Sequence, residues 1–148
     1  MPLSKKILMG VLSLLFLMAV SCKISPKPII YGTDGCHYCS MTIVDRQHAA
    51  QLVTKKGKTF KFDAIECMLN YMKEIDTSTI ALYLCNYYSE PGEFISSEEA
   101  TYLISDNIPS PMGEFLTAFD SVESANMAKE ENGGVLYSWN ELLNHMNN

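Results

Sequence analysis

Residues 58–72, KTFKFDAIECMLNYM, decide the fold, because a strand pattern passes directly into a helix pattern within them. The preceding residues 49–54 also have strand character, and a Lys-Lys-Gly turn around Gly57 joins the two strands. Asp63, followed three residues later by Glu66, matches a helix capping signature. Apolar side chains then recur at helical spacing on one face, at Ile65, Met68, Leu69 and Met72. The sequence therefore predicts a β-hairpin followed directly by a capped amphipathic helix.

Strand and helix patterns continue to alternate through the rest of the chain. Residues 80–88 are apolar on both alternations, as in a central strand, and Pro91-Gly92 predicts a break after them. Three further strands are predicted, at 101–105, 115–119 and 135–137. Two further helices are predicted, after caps at Asp120 and Ser138. These elements place the chain in the α+β class.

The folded part of the chain repeats a short pattern. A strand and a helix follow Gly57, and a similar strand and helix follow Gly134. We interpret the repeat as two similar small ββα-type halves packed together, the first at residues 35–78 and the second at 79–148. Each half contains one loop that carries a methionine.

The N-terminal segment matches a lipoprotein signal peptide, residues 1–21, which lies outside the folded domain. Its apolar run at 7–20 is shorter than the roughly 20 residues of a membrane-spanning helix. Small residues lead to Cys22, so we predict that Cys22 carries lipid and that residues 22–34 form a tether. Cleavage near Ser21 by an ordinary signal peptidase is the alternative. Because no Asp follows Cys22, the sequence favours the outer over the inner membrane, on its periplasmic face.

The charge distribution argues against nucleic-acid binding. The formal net charge is -6 at pH 7. Residues 22–73 carry eight Lys/Arg against four Asp/Glu, whereas residues 74–148 carry one Lys against thirteen acids. A short basic segment on an acidic chain lacks the basic face that nucleic-acid-binding domains present.

Residues 36–41, CHYCSM, carry the chemistry that stands out most in the chain. Two-residue spacing allows Cys36 and Cys39 to reach one ion, and soft sulfur donors favour Cu(I). Zinc seldom uses a thioether, so Met41 moves the interpretation towards copper. His37 becomes a further donor if its side chain turns inward. A redox pair or a structural disulfide of Cys36 and Cys39 is the alternative.

The remaining sulfur residues have several interpretations. Met112, between a proline and a glycine, either fills the core or is presented as a ligand. Cys67 and Cys85 are predicted to be small buried apolar residues. The chain has no hydrolase triad, phosphate loop or zinc-hydrolase motif, so we predict that it is not an enzyme.

These motifs resemble those of the NosL family, the lipoprotein accessory factors of nitrous oxide reductase. The resemblance rests on the lipobox and on six further segments in order: 36–45, 49–51, 57–63, 110–113, 118–119 and 133–134. It implies two homologous ββα-type halves, one bound Cu(I), and delivery of copper to the tetranuclear copper-sulfide centre of the reductase. It also implies that Met112 is a copper ligand rather than core filler.

The sequence as a whole therefore predicts a membrane-anchored periplasmic Cu(I) chaperone. Its predicted metal ligands are Cys36, Cys39, Met41, Met112 and His37. The expected partners are apo nitrous oxide reductase, a periplasmic copper donor and, through the lipid on Cys22, the membrane. The alternative function is that of a periplasmic thiol-disulfide redox lipoprotein that uses Cys36 and Cys39.

Overall fold

The computed structural model describes residues 23–147 of the chain, so the predicted signal peptide and lipidated Cys22 lie outside the described residues. Within that range the chain forms seven strands and three α-helices. Their bounds are β1 (Ala50–Thr54), β2 (Thr59–Phe62), α1 (Ile65–Met72), β3 (Ile80–Tyr87), β4 (Glu90–Ser96), β5 (Thr101–Ile104), β6 (Leu116–Phe119), α2 (Val122–Asn132), β7 (Val135–Tyr137) and α3 (Trp139–Met146). A short 3-10 helix, Thr77–Thr79, precedes β3. The predicted α+β class is confirmed.

The strands form two antiparallel sheets, with the orders β2-β1-β3-β4 and β6-β5-β7. In each sheet a hairpin leads into a helix, and the next strand then pairs with the other side of the first strand. The fold is thus a duplicated ββαβ unit. The predicted repeat was aligned wrongly, because the counterpart of α1 is α2 rather than the terminal helix. β3 and β4 also belong to the first sheet, although the sequence analysis placed them after its boundary at residue 78.

Strand β4 differs from the sequence prediction. Pro91-Gly92 was expected to break the chain, yet both residues lie inside β4. This strand is an edge strand, where a proline removes no ladder hydrogen bond from the sheet interior. Gly92 has a φ of 94° and donates its N–H to the Arg46 carbonyl at 2.7 Å.

The segment predicted as a tether is bound to the first sheet. Gln51 of β1 exchanges two hydrogen bonds with the backbone of Lys27, at 2.8 and 2.7 Å. Lys61 of β2 donates to the Pro28 carbonyl at 2.7 Å, and Ile29 is buried. Residues from Lys27 onward therefore form part of the folded body.

One hydrophobic core joins the two sheets. Its buried members come from both repeats, including Leu52, Phe62, Met68, Tyr102, Leu116 and Leu142. A polar contact also crosses the interface, because buried His48 lies 3.1 Å from the hydroxyl of Thr117 in β6. Because burial in one core fixes the repeats relative to each other, loops from both repeats can contribute to one site. Within residues 23–147, none of the helices has the length and apolar character that crossing a membrane requires.

Candidate metal centre

The CHYCSM loop is closed by its own backbone and fastened to β2. The Cys36 N–H donates to the Met41 carbonyl at 2.7 Å, and the Ser40 N–H donates to the Cys36 carbonyl at 3.0 Å. The His37 N–H donates to the Lys61 carbonyl at 2.8 Å. Ser40 adopts a φ of 65°, a left-handed conformation that costs energy in a non-glycine residue. The loop therefore holds its two cysteines in a fixed orientation beside the end of β2.

Four potential ligand atoms converge at this point. They come from Cys36, Cys39, Asp63 and Cys67, and all lie within 4.8 Å of one another. Cys36 is 4% exposed and Cys67 and Asp63 are almost fully buried, whereas Cys39 is partly exposed. Asp63 lies at the junction of β2 and α1, and Cys67 lies in the first turn of α1. We call these four residues the thiol cluster.

Hydrogen bonds and burial shift the pKa values of the three thiols in the thiol cluster in different directions. The Cys67 thiol, hydrogen bonded to Cys36, is the largest cause that lowers the pKa of Cys36 to about 6, with backbone groups adding to the effect. The same contact and burial raise the pKa of Cys67. Burial raises the pKa of Cys39, whose thiol donates to Asp63 Oδ1 at 3.4 Å. One thiolate surrounded by protonated thiols is a buried negative charge. A soft cation can balance this charge and replace the protons of the neighbouring thiols.

The helix caps predicted for α1 are wrong. The N-cap residue is Ala64, which makes no side-chain cap hydrogen bond. Asp63 faces the cysteines instead, and Glu66 is buried and bonded to Ser110. The capping signature was misread because the same spacing, Asp followed three residues later by Glu, serves the thiol cluster and the contact with the second repeat.

The Pro-Met-Gly loop of the second repeat is attached to α1 through this glutamate. Ser110 Oγ donates to Glu66 Oε1 and accepts the Phe115 N–H at 2.9 Å. Phe115 has a φ of 60°. Within residues 23–147 two non-glycine residues have a positive φ, Ser40 and Phe115, and one lies in each methionine-bearing loop. Burial raises the pKa of Glu66, whose second oxygen has no hydrogen-bond partner. The hydrogen bond between Ser110 and Glu66 therefore holds the Pro-Met-Gly loop beside α1, at the residue that directly precedes Cys67.

A cavity of about 390 Å³ lies between the two loops. From the first repeat it is lined by Met41, Thr42, Val44, Asp45 and Asp63, and from the second by Pro109, Ser110 and Pro111. Met41 is 54% exposed at its rim. Asp63 belongs to both the cavity and the thiol cluster, so the cavity adjoins the cluster at this carboxylate.

The structure distributes the predicted ligands unevenly. Cys36 and Cys39 lie together in the thiol cluster, and Met41 lines the adjoining cavity. Met112 is partly buried against the main core. The ring of His37 packs against Phe60 and Tyr71, with centroid distances of 4.7 and 5.0 Å. The histidine therefore lies among aromatic rings rather than with the thiols.

Sequence reasoning missed two members of the thiol cluster, Asp63 and Cys67. Cys67 was predicted to be a small buried apolar residue, and it is buried. All four cysteines of the described range are free thiols, however, and three of them cluster. A usable signal existed, because Cys67 lies away from the apolar stripe of α1 and one helical turn after Asp63. Cys85 is buried in β3 and 3.9 Å from the Tyr102 hydroxyl, as expected of a core residue.

A duplicated α+β scaffold that brings thiols from a loop and a helix together defines a protein with a candidate soft-metal site. The sequence model of the NosL family matches residues 28–147, and the chain belongs to that family. Among solved structures, it resembles the crystal structure of the copper chaperone NosL from Shewanella denitrificans with a TM-score of 0.69 and 22% identity. The match covers 80% of this chain and 96% of that one, and it shows that the fold is shared. A comparison with curated proteins found no match.

Proposed function

We propose that this protein is a lipid-anchored periplasmic carrier of Cu(I) rather than an enzyme. The observation that carries the proposal is the convergence of Cys36, Cys39, Cys67 and Asp63 within 4.8 Å. Soft thiolates are the donors that Cu(I) prefers. Membership of the NosL family and the fold shared with a copper chaperone support copper as the cargo.

In the proposed complex the three cysteines supply the sulfur ligands. Cys36 is already poised as a thiolate near neutral pH, and the ion displaces the protons of the other two thiols. Asp63 accepts the hydrogen bond of Cys39, and its hard carboxylate oxygen is a poor ligand for Cu(I). We therefore assign Asp63 to orienting the Cys39 thiol, with both displaced protons released to solvent and His37 outside the ligand set.

Release requires an approach to the ion for the ligand of the acceptor. The cavity beside Asp63 supplies this approach, and the exposed thioether of Met41 stands at its rim. Met112, on the loop that Ser110 fastens to Glu66, is the second thioether available to an ion that moves towards the surface. We propose that these methionines bind copper transiently while the cysteines hold it at rest.

The proposed acceptor is apo nitrous oxide reductase, and the proposed source is a periplasmic copper donor. Both follow from the NosL resemblance of the sequence. The lipid on Cys22 would keep the carrier on the periplasmic face of a membrane, with the outer membrane favoured because no Asp follows Cys22.

An anaerobic Cu(I) titration against a chromophoric competitor tests this function. The reduced protein should bind one equivalent tightly, and the Cys36→Ser/Cys39→Ser variant should lose that binding. Cys85→Ala is the matched control, because Cys85 is a buried free thiol outside the thiol cluster. Equal affinity in the double variant and the wild type would contradict the proposal.

A thiol-disulfide function is the second candidate, favoured by the Cys36 pKa of about 6. A low pKa makes a cysteine nucleophilic at neutral pH. Cys36 is only 4% exposed, however, and it precedes a turn rather than a long helix. Catalytic reduction of a mixed disulfide that requires Cys36 and Cys39, without tight Cu(I) binding, would favour this function.

A further inference from the structure

The described chain begins against a lysine-rich turn. The carbonyl oxygen of Lys23 lies 3.6 Å from the position of a Cβ at Gly57, the tip of the β1–β2 turn. Three exposed basic side chains surround this glycine: Lys55, Lys56 and Lys58. Lys23 immediately follows Cys22 in the sequence. The point at which the body joins its N-terminal segment therefore carries four lysines, which we call the basic turn.

The charges of the basic turn are available to an external partner. Ion pairs within residues 23–147 join His48 to Asp45 and Lys61 to Asp34, and neither involves the basic turn. Lys58 Nζ lies 4.6 Å from the centre of the Phe60 ring. Asp76 is close enough to feel the charge of Lys55, so one acid partly offsets four bases. The basic turn therefore has a net positive charge on a chain whose overall charge is negative.

We propose that the basic turn rests on anionic phospholipid headgroups. The inference depends on the lipid anchorage given under the proposed function, because a lipid on Cys22 would place the membrane surface one residue from Lys23. Lysines near an anionic membrane surface are attracted to its headgroups electrostatically. Ile24, which is 43% exposed next to Lys23, supplies an apolar side chain at the same surface. The contact gives the anchored chain a defined orientation on the membrane.

This orientation has a consequence for the thiol cluster. Strand β2 leads from Lys58 to Asp63, a step of five residues that spans roughly 16 Å at about 3.3 Å per residue. The turn and the thiol cluster therefore lie at opposite ends of β2. With the basic turn on the membrane, the thiol cluster faces away from the lipid, towards soluble partners.

Lysine footprinting on the full chain tests the contact. The mature lipoprotein is reconstituted into vesicles of phosphatidylcholine, with or without phosphatidylglycerol, and acetylated with a reagent that cannot cross the bilayer. We expect several-fold slower acetylation of Lys55, Lys56 and Lys58 on phosphatidylglycerol vesicles, with the protection lost at high salt. Lys129, an exposed residue on α2 of the second repeat, is the internal control and should react equally on both vesicles. Equal reactivity of the turn lysines on both vesicles, or stronger protection at Lys129, would overturn the proposal.

A charge variant separates this inference from copper binding. In Lys55→Gln/Lys56→Gln/Lys58→Gln the headgroup-dependent protection of Lys23 should fall several-fold, whereas Lys129→Gln should retain it. Both variants should bind Cu(I) like the wild type, because neither alters the thiol cluster. Undiminished protection of Lys23 in the triple variant, or a full chain that stays free of membranes, would overturn the membrane contact. A wild-type protein that does not bind Cu(I) would instead contradict the proposed function.

Discussion

The two repeats share one local sequence at the junction of strand and helix but use it differently. Residues 62–67 read Phe-Asp-Ala-Ile-Glu-Cys, and residues 119–124 read Phe-Asp-Ser-Val-Glu-Ser. In the second repeat the serines satisfy the helix end, since Ser121 Oγ accepts the Ser124 N–H at 3.1 Å and Ser124 Oγ donates to Asp120 at 3.0 Å.

In the first repeat the same positions build the site instead. Asp63 receives a hydrogen bond from the thiol of Cys39, Ala64 leaves the helix without a side-chain cap, and Cys67 replaces the second serine. Glu66 is buried, whereas Glu123 is exposed. The comparison teaches that an ordinary helix start becomes a candidate metal site when hydroxyls are exchanged for a methyl and a thiol beside a CxxC loop.

The largest expected effect comes from making the first repeat like the second. Cys67→Ser should weaken Cu(I) binding at least about 100-fold, since loss of an outer-shell partner alone typically costs 10- to 100-fold. Anaerobic competition titration measures it. The reciprocal change Ser124→Cys should create no tight site, because no cysteine loop faces Asp120. Wild-type affinity in Cys67→Ser would remove the helix from the site.

The buried glutamate should matter far more than its exposed counterpart. Glu66→Ala removes the bond to Ser110 and leaves a cavity, so it should lower the free energy of unfolding by roughly 2 to 3 kcal/mol. Glu123→Ala should change it by less than about 0.5 kcal/mol. Urea denaturation compares the two variants, and Glu66→Gln, which can still bond Ser110, should lie between them. Equal effects of the two alanine variants would contradict the assigned contact.

The helix caps provide a smaller contrast. Ser121→Ala should cost about 1 kcal/mol, because it removes the acceptor for the Ser124 N–H. Ala64→Ser should give no matching gain, since Ala64 is fully buried and a hydroxyl there must lose its water. Thermal or urea unfolding of both variants tests the pair. A variant Ala64→Ser that is more stable than the wild type would contradict the expected cost of burying a hydroxyl at this position.

A contrast of another kind concerns pH and arises in the first repeat alone. The folded pKa of Cys36 is about 6 against a usual value of 9.0, so the unfolded chain binds more protons between these values. The stability that Cys36 contributes to the metal-free protein should therefore rise with pH across that window and be lost as pH falls through about 6. Denaturation at several pH values under anaerobic conditions measures the slope, which Cys36→Ser should remove. Cys67→Ala should raise the Cys36 pKa, and an unchanged ultraviolet thiolate titration would contradict the hydrogen bond.

The fold was more predictable from sequence than the site was. The strand patterns of β1 and β2 and the capping signals before the last two helices predicted these elements closely, because local patterns determine them. The edge strand β4 was missed because a proline, which lacks a backbone N–H, is compatible with a strand at the edge of a sheet but not in its interior. That position depends on strand order, which the local sequence does not encode.

Half of the thiol cluster was equally hidden in the sequence. The CxxC spacing identified Cys36 and Cys39 as candidate ligands. Asp63 and Cys67 join them only in the folded protein, where β2 brings the loop and α1 together. Asp63 and Glu66 also satisfy a capping signature, which offered a sufficient local explanation for both. The alignment with residues 119–124 would have exposed the substitution of Ala and Cys for two serines.

X-ray absorption at the copper edge tests the central claim most directly. Protein loaded anaerobically with one equivalent of Cu(I) should show a first shell of about three sulfur atoms, as the three cysteines of the thiol cluster require. Cys67→Ser should reduce that shell by one sulfur, while Cys85→Ala should leave it unchanged. A shell dominated by nitrogen or oxygen, or a sulfur count that Cys67→Ser does not alter, would contradict the account.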